Sequence, residues 1–179
     1  MKNILVAAAF LMLSVSVALG QMNPEAQQKA LETARSEVKK LDLLVGKWEG
    51  SGWMMQGPQK ETFTGTENVQ RKVDGLALLV EGKFTNKDNV VIHETLAVVS
   101  YNPKTSIFDF NTFLASGYKG VYELRSTADG FEWFVPFPGG KVRYTTKLSA
   151  ESWWEIGEMS RDEGKTWVKM FEMNLKRVR

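Results

Sequence analysis

The single histidine of the chain, His93, is the side chain with the widest chemical range. It lies in a run of alternating polarity and shares a face with Val91, Thr95 and Val99, so we expect it to point inward. A buried neutral imidazole can ligate a haem iron or hydrogen-bond the polar head of a ligand. It can also be a core residue bonded to a neighbouring strand. We rank the core role first, because haem needs a large apolar slot as well.

Other reaction chemistries are restricted by residue type. The chain has no cysteine, which excludes disulfides, thiolate metal sites and a cysteine nucleophile, and one histidine cannot build a histidine-based zinc site. Carboxylates gather late in the chain. Glu155 and Glu158 have opposite strand parity, so we do not expect them to act as a glycosidase pair. A solvated outer face explains most of these charges. Glu158 is the exception if Trp154 and Ile156 point inward, because it shares their strand face.

A second motif begins at Ser160, where the chain reads Ser-Arg-Asp-Glu-Gly-Lys-Thr-Trp. It resembles the Asp-box, a hairpin turn of sialidase-like propellers that lies away from their active sites. The resemblance implies that Ser160 and Asp162 bond turn amides, Gly164 takes a positive φ angle and Trp167 packs beneath. A calcium loop is the alternative. Two acidic residues are too few for the six or more oxygens that calcium prefers.

Net charge and the N-terminal residues give expectations about binding partners and cellular location. The formal net charge is only +2 and the basic residues form no dense stripe, so we expect no nucleic-acid partner. Residues 1–20 combine Lys2, an apolar run and small residues before Gln21, which predicts a secretory signal peptide. A membrane anchor is the alternative, but the apolar run is short for a span. We therefore expect an exported protein, periplasmic or secreted, without a membrane span after cleavage.

The remaining chain divides into a helical leader and a long β-region. Residues 21–45 form a helix and linker, with the helix over 22–41, where apolar residues recur at three- and four-residue spacing. From residue 46 to residue 179 the period is two. Ten strands are predicted, at residues 46–57, 60–70, 73–85, 90–101, 105–115, 118–126, 130–136, 141–149, 152–160 and 166–178.

Short turns join these predicted strands, which is typical of consecutive antiparallel hairpins. A closed sheet leaves no unpaired edge, so we predict an all-β fold, a closed up-and-down antiparallel barrel of about ten strands with one N-terminal helix. A two-sheet sandwich is the alternative. If the barrel closed incompletely, the Met- and Phe-rich last strand could pair with a second copy.

The triplet Gly46-Lys47-Trp48 stands where helix gives way to strand, and Arg177 stands near the end of the last strand. Here the sequence resembles the calycin superfamily of lipocalin-like barrels, in which Gly-x-Trp and a late arginine form a shared structural core. It is still more similar to a bacterial family of exported lipocalin-like domains of unknown function. The stretches that carry this resemblance are residues 43–50, 93–96, 101–104, 154–158 and 171–173. We expect Arg177 to lie over the Trp48 ring and close the barrel.

The leading functional hypothesis is non-catalytic binding of a small apolar or amphipathic molecule in the barrel interior. The expected lining is Met54, Phe84, His93, Phe110, Tyr144, Trp154 and Met173. This leading hypothesis includes no cofactor. The alternatives are a haem or other tetrapyrrole barrel with His93 as axial ligand, a calycin-type enzyme acting on a small acid, and a ligand-free structural module. The haem alternative has an architectural parallel in nitrobindin, a haem-binding barrel of similar shape that uses one histidine.

Overall fold

The structure is a computed structural model, and it describes residues 23–179. The predicted signal peptide, residues 1–20, lies outside the described residues. The helix α1 (Pro24–Lys39) begins where expected, because the Asn23 side chain accepts a hydrogen bond from the Glu25 amide at 3.0 Å. Ala34 and Val38 are its buried residues, so its second half packs against the protein while its first half is exposed.

Ten strands follow, with bounds close to the predicted ones. They are β1 (Gly46–Gln56), β2 (Gln59–Lys72), β3 (Ala77–Asn86), β4 (Val91–Asn102), β5 (Ile107–Leu114), β6 (Lys119–Ser126), β7 (Gly130–Phe137), β8 (Gly140–Leu148), β9 (Ser152–Ser160) and β10 (Val168–Arg177). Each strand pairs antiparallel with its neighbours in the chain, and β1 pairs with β10. The predicted closed barrel is confirmed and the sandwich alternative is wrong. Since β10 is paired on both sides, it does not offer a second copy an edge.

Strand β3 starts four residues later than predicted. Val73–Gly75 forms a short 3-10 turn instead, with positive φ angles of 50° at Val73, 52° at Asp74 and 81° at Gly75. Arg35 of α1 donates to the Asp74 carbonyl at 3.0 Å and to its carboxylate at 2.7 Å. This exposed ion pair connects the helix to the β2–β3 turn at one end of the barrel.

Trp48 fills the same end of the barrel. Its ring is fully buried, and its indole Nε1 donates to the Leu44 carbonyl at 2.7 Å. The Arg177 guanidinium lies 4.1 Å from the centre of the Trp48 ring, which is cation–π geometry. It also donates at 2.6–2.7 Å to three backbone carbonyls, those of Leu43, Val45 and Ala150. The last strand thereby holds the linker that precedes the first.

Gly46 makes this contact possible. Its φ angle of +135° belongs to the region that favours glycine, and a Cβ atom there would collide with the Arg177 guanidinium. The strand pairing places Trp48 directly opposite Arg177. We call this group, Gly46, Trp48 and Arg177, the closure cluster.

The Asp-box-like segment forms the β9–β10 turn. Ser160 Oγ donates to Asp162 Oδ1 at 2.8 Å and accepts from the Gly164 amide at 2.8 Å. Asp162 Oδ1 also accepts from the Thr166 amide at 2.8 Å, and Trp167 Nε1 donates to the Gly164 carbonyl at 3.0 Å. Gly164 has a φ angle of +95°. These bonds account for the motif as a turn-forming device.

Candidate ligand cavity

The inward positions of the strands enclose a cavity of about 330 Å³. Its floor lies toward the closure cluster, at Leu44 and Trp153, and its wall reaches Met54 and Met170 near the hairpins of the opposite end. Eight aromatic side chains line it: Phe84, Phe110, Tyr122, Phe131, Trp133, Tyr144, Trp153 and Phe171. The volume falls within the range of small-molecule sites, and the lining is mainly apolar.

The structure places six of the seven predicted lining residues in the cavity wall, namely Met54, Phe84, His93, Phe110, Tyr144 and Met173. Trp154 is the exception and needs correction. It faces outward, where its Nε1 donates to Glu172 at 3.2 Å. Its strand partners are Lys147 and Asn174, whereas Trp153 pairs with Leu148 and Leu175 and faces the cavity. Trp153 therefore takes the place in the cavity wall that was predicted for Trp154.

This parity also brings Glu155 inside, which corrects its expected place on the outer face. It is 8% exposed, and its Oε2 accepts hydrogen bonds from Thr146 Oγ1 at 2.9 Å and Trp153 Nε1 at 3.2 Å. Burial raises the pKa of Glu155 to about 7, although these two hydrogen bonds act in the opposite direction. Glu158 faces outward and pairs with Arg143 at 2.7 Å.

Glu67 is a second buried carboxyl that the sequence analysis did not single out. It is 6% exposed, and among the described residues its Oε2 has no hydrogen-bond partner. Burial, with a smaller effect of Glu155, raises its pKa to about 8. Gly82 on the adjacent strand leaves the space that this side chain occupies, since a Cβ there would lie 2.6 Å from Oε1. Strand parity could have predicted that Glu67 points inward, because it shares a strand face with the buried residues Phe63 and Val69.

The other polar groups of the cavity are set among aromatic rings. His93 stacks on Phe84 at a centroid distance of 5.1 Å, and burial lowers its pKa, which favours the neutral imidazole. Tyr144 stacks on Trp133 at 4.2 Å with the ring planes 10° apart. Burial, then the charge of Glu155 and the neighbouring Tyr122, raises the pKa of Tyr144, so its hydroxyl stays protonated. The cavity thus offers hydrogen-bond donors and acceptors on an aromatic wall.

Charge within the cavity is of one sign. Both ionisable carboxyls, Glu67 and Glu155, line it, whereas none of the described lining residues is a lysine or an arginine. Within residues 23–179, no group of three or more histidine, aspartate or glutamate side chains is arranged to hold a metal ion. No helix of that range has both the length and the apolar character needed to cross a membrane.

Comparison with known proteins supports the fold. No protein-family model matches the chain, and no curated protein matches it. Solved structures do match, 14 chains in all. One of them is the crystal structure of Rv2717c from M. tuberculosis, which is 15% identical with a TM-score of 0.59; the match covers 79% of this chain and 97% of that one. At this identity the likeness shows a shared barrel fold and nothing about function.

Proposed function

We propose that this protein is exported and binds a small apolar or amphipathic molecule inside the barrel, without catalysing a reaction. The observation that carries the proposal is the cavity of about 330 Å³, whose wall is mainly aromatic and aliphatic with a few convergent polar groups. Apolar surface transferred from water into such a wall contributes roughly 25 cal/mol per Å² before the costs of association. The apolar body of a ligand would supply affinity, and the polar groups would fix its orientation.

Haem is the second candidate, favoured by the place of His93 in the cavity wall and by its lowered pKa. The cavity fits a haem poorly. A haem is a rigid macrocycle larger than most drug-sized ligands, while about 330 Å³ is near the lower limit for drug-sized sites. A hemin titration decides between the candidates, because ligation by His93 would produce a Soret shift that disappears in His93→Ala.

A calycin-type enzyme acting on a small acid is less compatible with the interior. An anionic substrate would lie near Glu67 and Glu155, and once either carboxyl ionises, the like charges in a poorly solvated cavity repel strongly. A neutral or cationic ligand avoids this repulsion.

Native mass spectrometry of protein purified from its own host tests the binding proposal. We expect an additional mass from bound ligand in the wild type. Ala97→Phe should remove it, because Ala97 lines the cavity and the larger ring fills the space. Leu96→Phe is the matched control on the same strand, since Leu96 is 41% exposed on the barrel exterior. A ligand-free wild-type mass, with Ala97→Phe much less stable than Leu96→Phe because the interior has no room for the ring, would contradict the proposal.

Intact mass measurement of the same sample tests export. We expect the mature chain to begin at Gln21 and to be recovered outside the cytoplasm. A full-length chain retained in the cytoplasm would contradict this part of the proposal and leave the cavity argument in place.

A further inference from the structure

Two carboxyls from distant parts of the sequence share the interior of the barrel. Glu67 comes from β2 and Glu155 from β9, and both are more than nine-tenths buried. Glu155 has two hydrogen-bond donors, Thr146 and Trp153. For Glu67, Oε2 lacks a donor within the described part of the chain. The interior therefore contains an acidic group whose partner does not come from the neighbouring side chains.

An unpaired buried carboxyl is unfavourable. Its ionised form has lost its hydration without gaining a counter-charge, and its protonated form still leaves acceptor sites unused. A cation placed beside it would restore both the charge balance and the hydrogen bonds. Since the described lining supplies neither lysine nor arginine, that cation has to come from outside the protein.

We propose that the ligand of this cavity is an amphipathic organic cation, with an ammonium or amidinium group bound between Glu67 and Glu155 and an apolar body against the aromatic wall. This inference rests on the proposed function, since it identifies the class of ligand that the same cavity takes. An ammonium group has three donors, enough to reach both carboxyls and one further acceptor.

The aromatic wall suits the same ligand class. Trp133 and Tyr144 stack face to face at 4.2 Å, and the Phe84 and Phe171 rings lie 6.3 Å apart. Ring faces attract cations and also bury hydrocarbon. A ligand with a charged head and an aryl or alkyl body can use both properties at once.

Binding of such a cation is coupled to protonation. The titratable groups facing the cavity are Glu67, His93, Tyr122, Tyr144 and Glu155. The two carboxyls hold protons in the neutral range because their burial raises their pKa values, to about 8 and about 7. They must release those protons to pair with an ammonium group, so the affinity for an amine should rise from about pH 6 to about pH 8. Burial lowers the pKa of His93 and raises the pKa of Tyr144, which favours the neutral form of both side chains.

Calorimetric titration of the full mature chain with three isosteric probes tests this inference. The probes are phenethylamine, phenethyl alcohol and phenylacetate, which share a body and differ in the charge of the head. At about pH 8 we expect the amine to bind roughly tenfold or more tightly than the alcohol, as expected for charge-assisted hydrogen bonds, and phenylacetate to bind most weakly. This comparison uses the wild type alone and does not depend on the folding of any variant.

Variants then assign the preference to the carboxyls. Glu67→Gln and Glu155→Gln should bring the amine down to the affinity of the alcohol, while the affinity for the alcohol changes little. Glu81→Gln is the matched control, because Glu81 is exposed on the outside of β3, where Asn68 donates to it at 2.9 Å. It should behave as the wild type.

The outcomes separate the two proposals. If the alcohol binds as tightly as the amine, or if the amine preference does not change between about pH 6 and about pH 8, the cation inference is wrong while cavity binding stands. If none of the three probes binds, both the inference and the proposed function are overturned.

Discussion

Two groups of polar side chains face the inside of the barrel, and they differ in how they are satisfied. In the closure cluster, the Arg177 guanidinium donates to three carbonyls and lies over Trp48, whose own indole N–H is bonded. In the cavity, Glu67 Oε2 has no partner among the described residues. The first group is complete within the chain and stabilises the fold. The second is incomplete, which is why we place recognition there.

The difference follows from where backbone groups are available. At the closed end, the carbonyls that Arg177 bonds belong to the linker before β1 and to the β8–β9 turn, outside the strand ladders. In mid-barrel, the backbone groups are engaged in pairing between strands. A polar side chain there can be satisfied only by other side chains, by water or by a ligand. Position along the barrel therefore decides which kind of partner a buried polar group finds.

Truncation of Trp48 gives the largest expected effect. Trp48→Ala removes a fully buried ring and the surface on which Arg177 lies, so the free energy of unfolding should fall by about 3–5 kcal/mol. Denaturant unfolding measures it. Trp53→Ala is the control, because the Trp53 ring is only partly buried and lies under Lys60 at 4.0 Å on the outside, and we expect less than about 1 kcal/mol. Equal losses in the two variants would remove the special role of the closure cluster.

Neutralising Glu67 should raise the free energy of unfolding at higher pH, whereas Trp48→Ala lowers it. Its folded pKa of about 8 lies above the ordinary 4.5, so its stabilising contribution is complete below about pH 4.5 and is lost as the pH rises through about 8. Wild-type stability should therefore fall between about pH 5 and about pH 8, while Glu67→Gln should fall less. At about pH 8 the variant should be more stable by on the order of 2 kcal/mol. Denaturant unfolding across this pH range would refute the argument if the two curves ran parallel.

Replacement of Arg177 tests whether its hydrogen bonds or its charge hold the closed end. Arg177→Met leaves three carbonyls without their donor and should cost about 2 kcal/mol of unfolding free energy. Arg177→Lys should recover little, since an ammonium group lacks the planar fork that reaches several carbonyls. Full recovery in the lysine variant, measured by thermal unfolding, would assign the contact to charge alone.

Disruption of the β9–β10 turn should have the smallest effect. Hydrogen bonds from Thr166, with one from Ser160, hold the pKa of Asp162 at about 2, below its usual 3.8, so its contribution persists above about pH 3.8 and is lost as the pH falls through about 2. Asp162→Ala should lower the melting temperature by a few degrees at neutral pH and leave probe binding in the cavity unchanged. A loss of binding in this variant would connect the turn to the cavity.

Strand order and closure could be predicted from the sequence because alternation and turn residues are local signals. The late start of β3 could not, because Val73 and Asp74 adopt positive φ angles that their residue types disfavour. Arg35 holds Asp74 from a distant helix, which is a tertiary contact rather than a local one.

The cavity was predicted in part. Phe84, Phe110 and Tyr144 could be placed because each belongs to a strand with clear alternation. The inward face of strand β9 was assigned wrongly, since two adjacent tryptophans place one large ring on each face whichever parity is chosen. Register from the preceding turn would have resolved it, because Leu148 shares a strand face with Tyr144, which was predicted to line the cavity, and Leu148 pairs with Trp153. Glu67 was overlooked because a charged residue in a strand is ordinarily placed on the wet face.

The hydrogen bond between Trp153 and Glu155 has a consequence for spectroscopy. The indole N–H lies 3.2 Å from a carboxyl that gains or loses a proton near neutral pH. The excited state of an indole is sensitive to the field of an adjacent charge, so the emission of Trp153 should change in wavelength and intensity when Glu155 ionises. Trp133, stacked on Tyr144 in the same cavity, would sense an incoming ring by contact. The barrel therefore carries its own optical probes, one for the charge of the cavity and one for its occupancy.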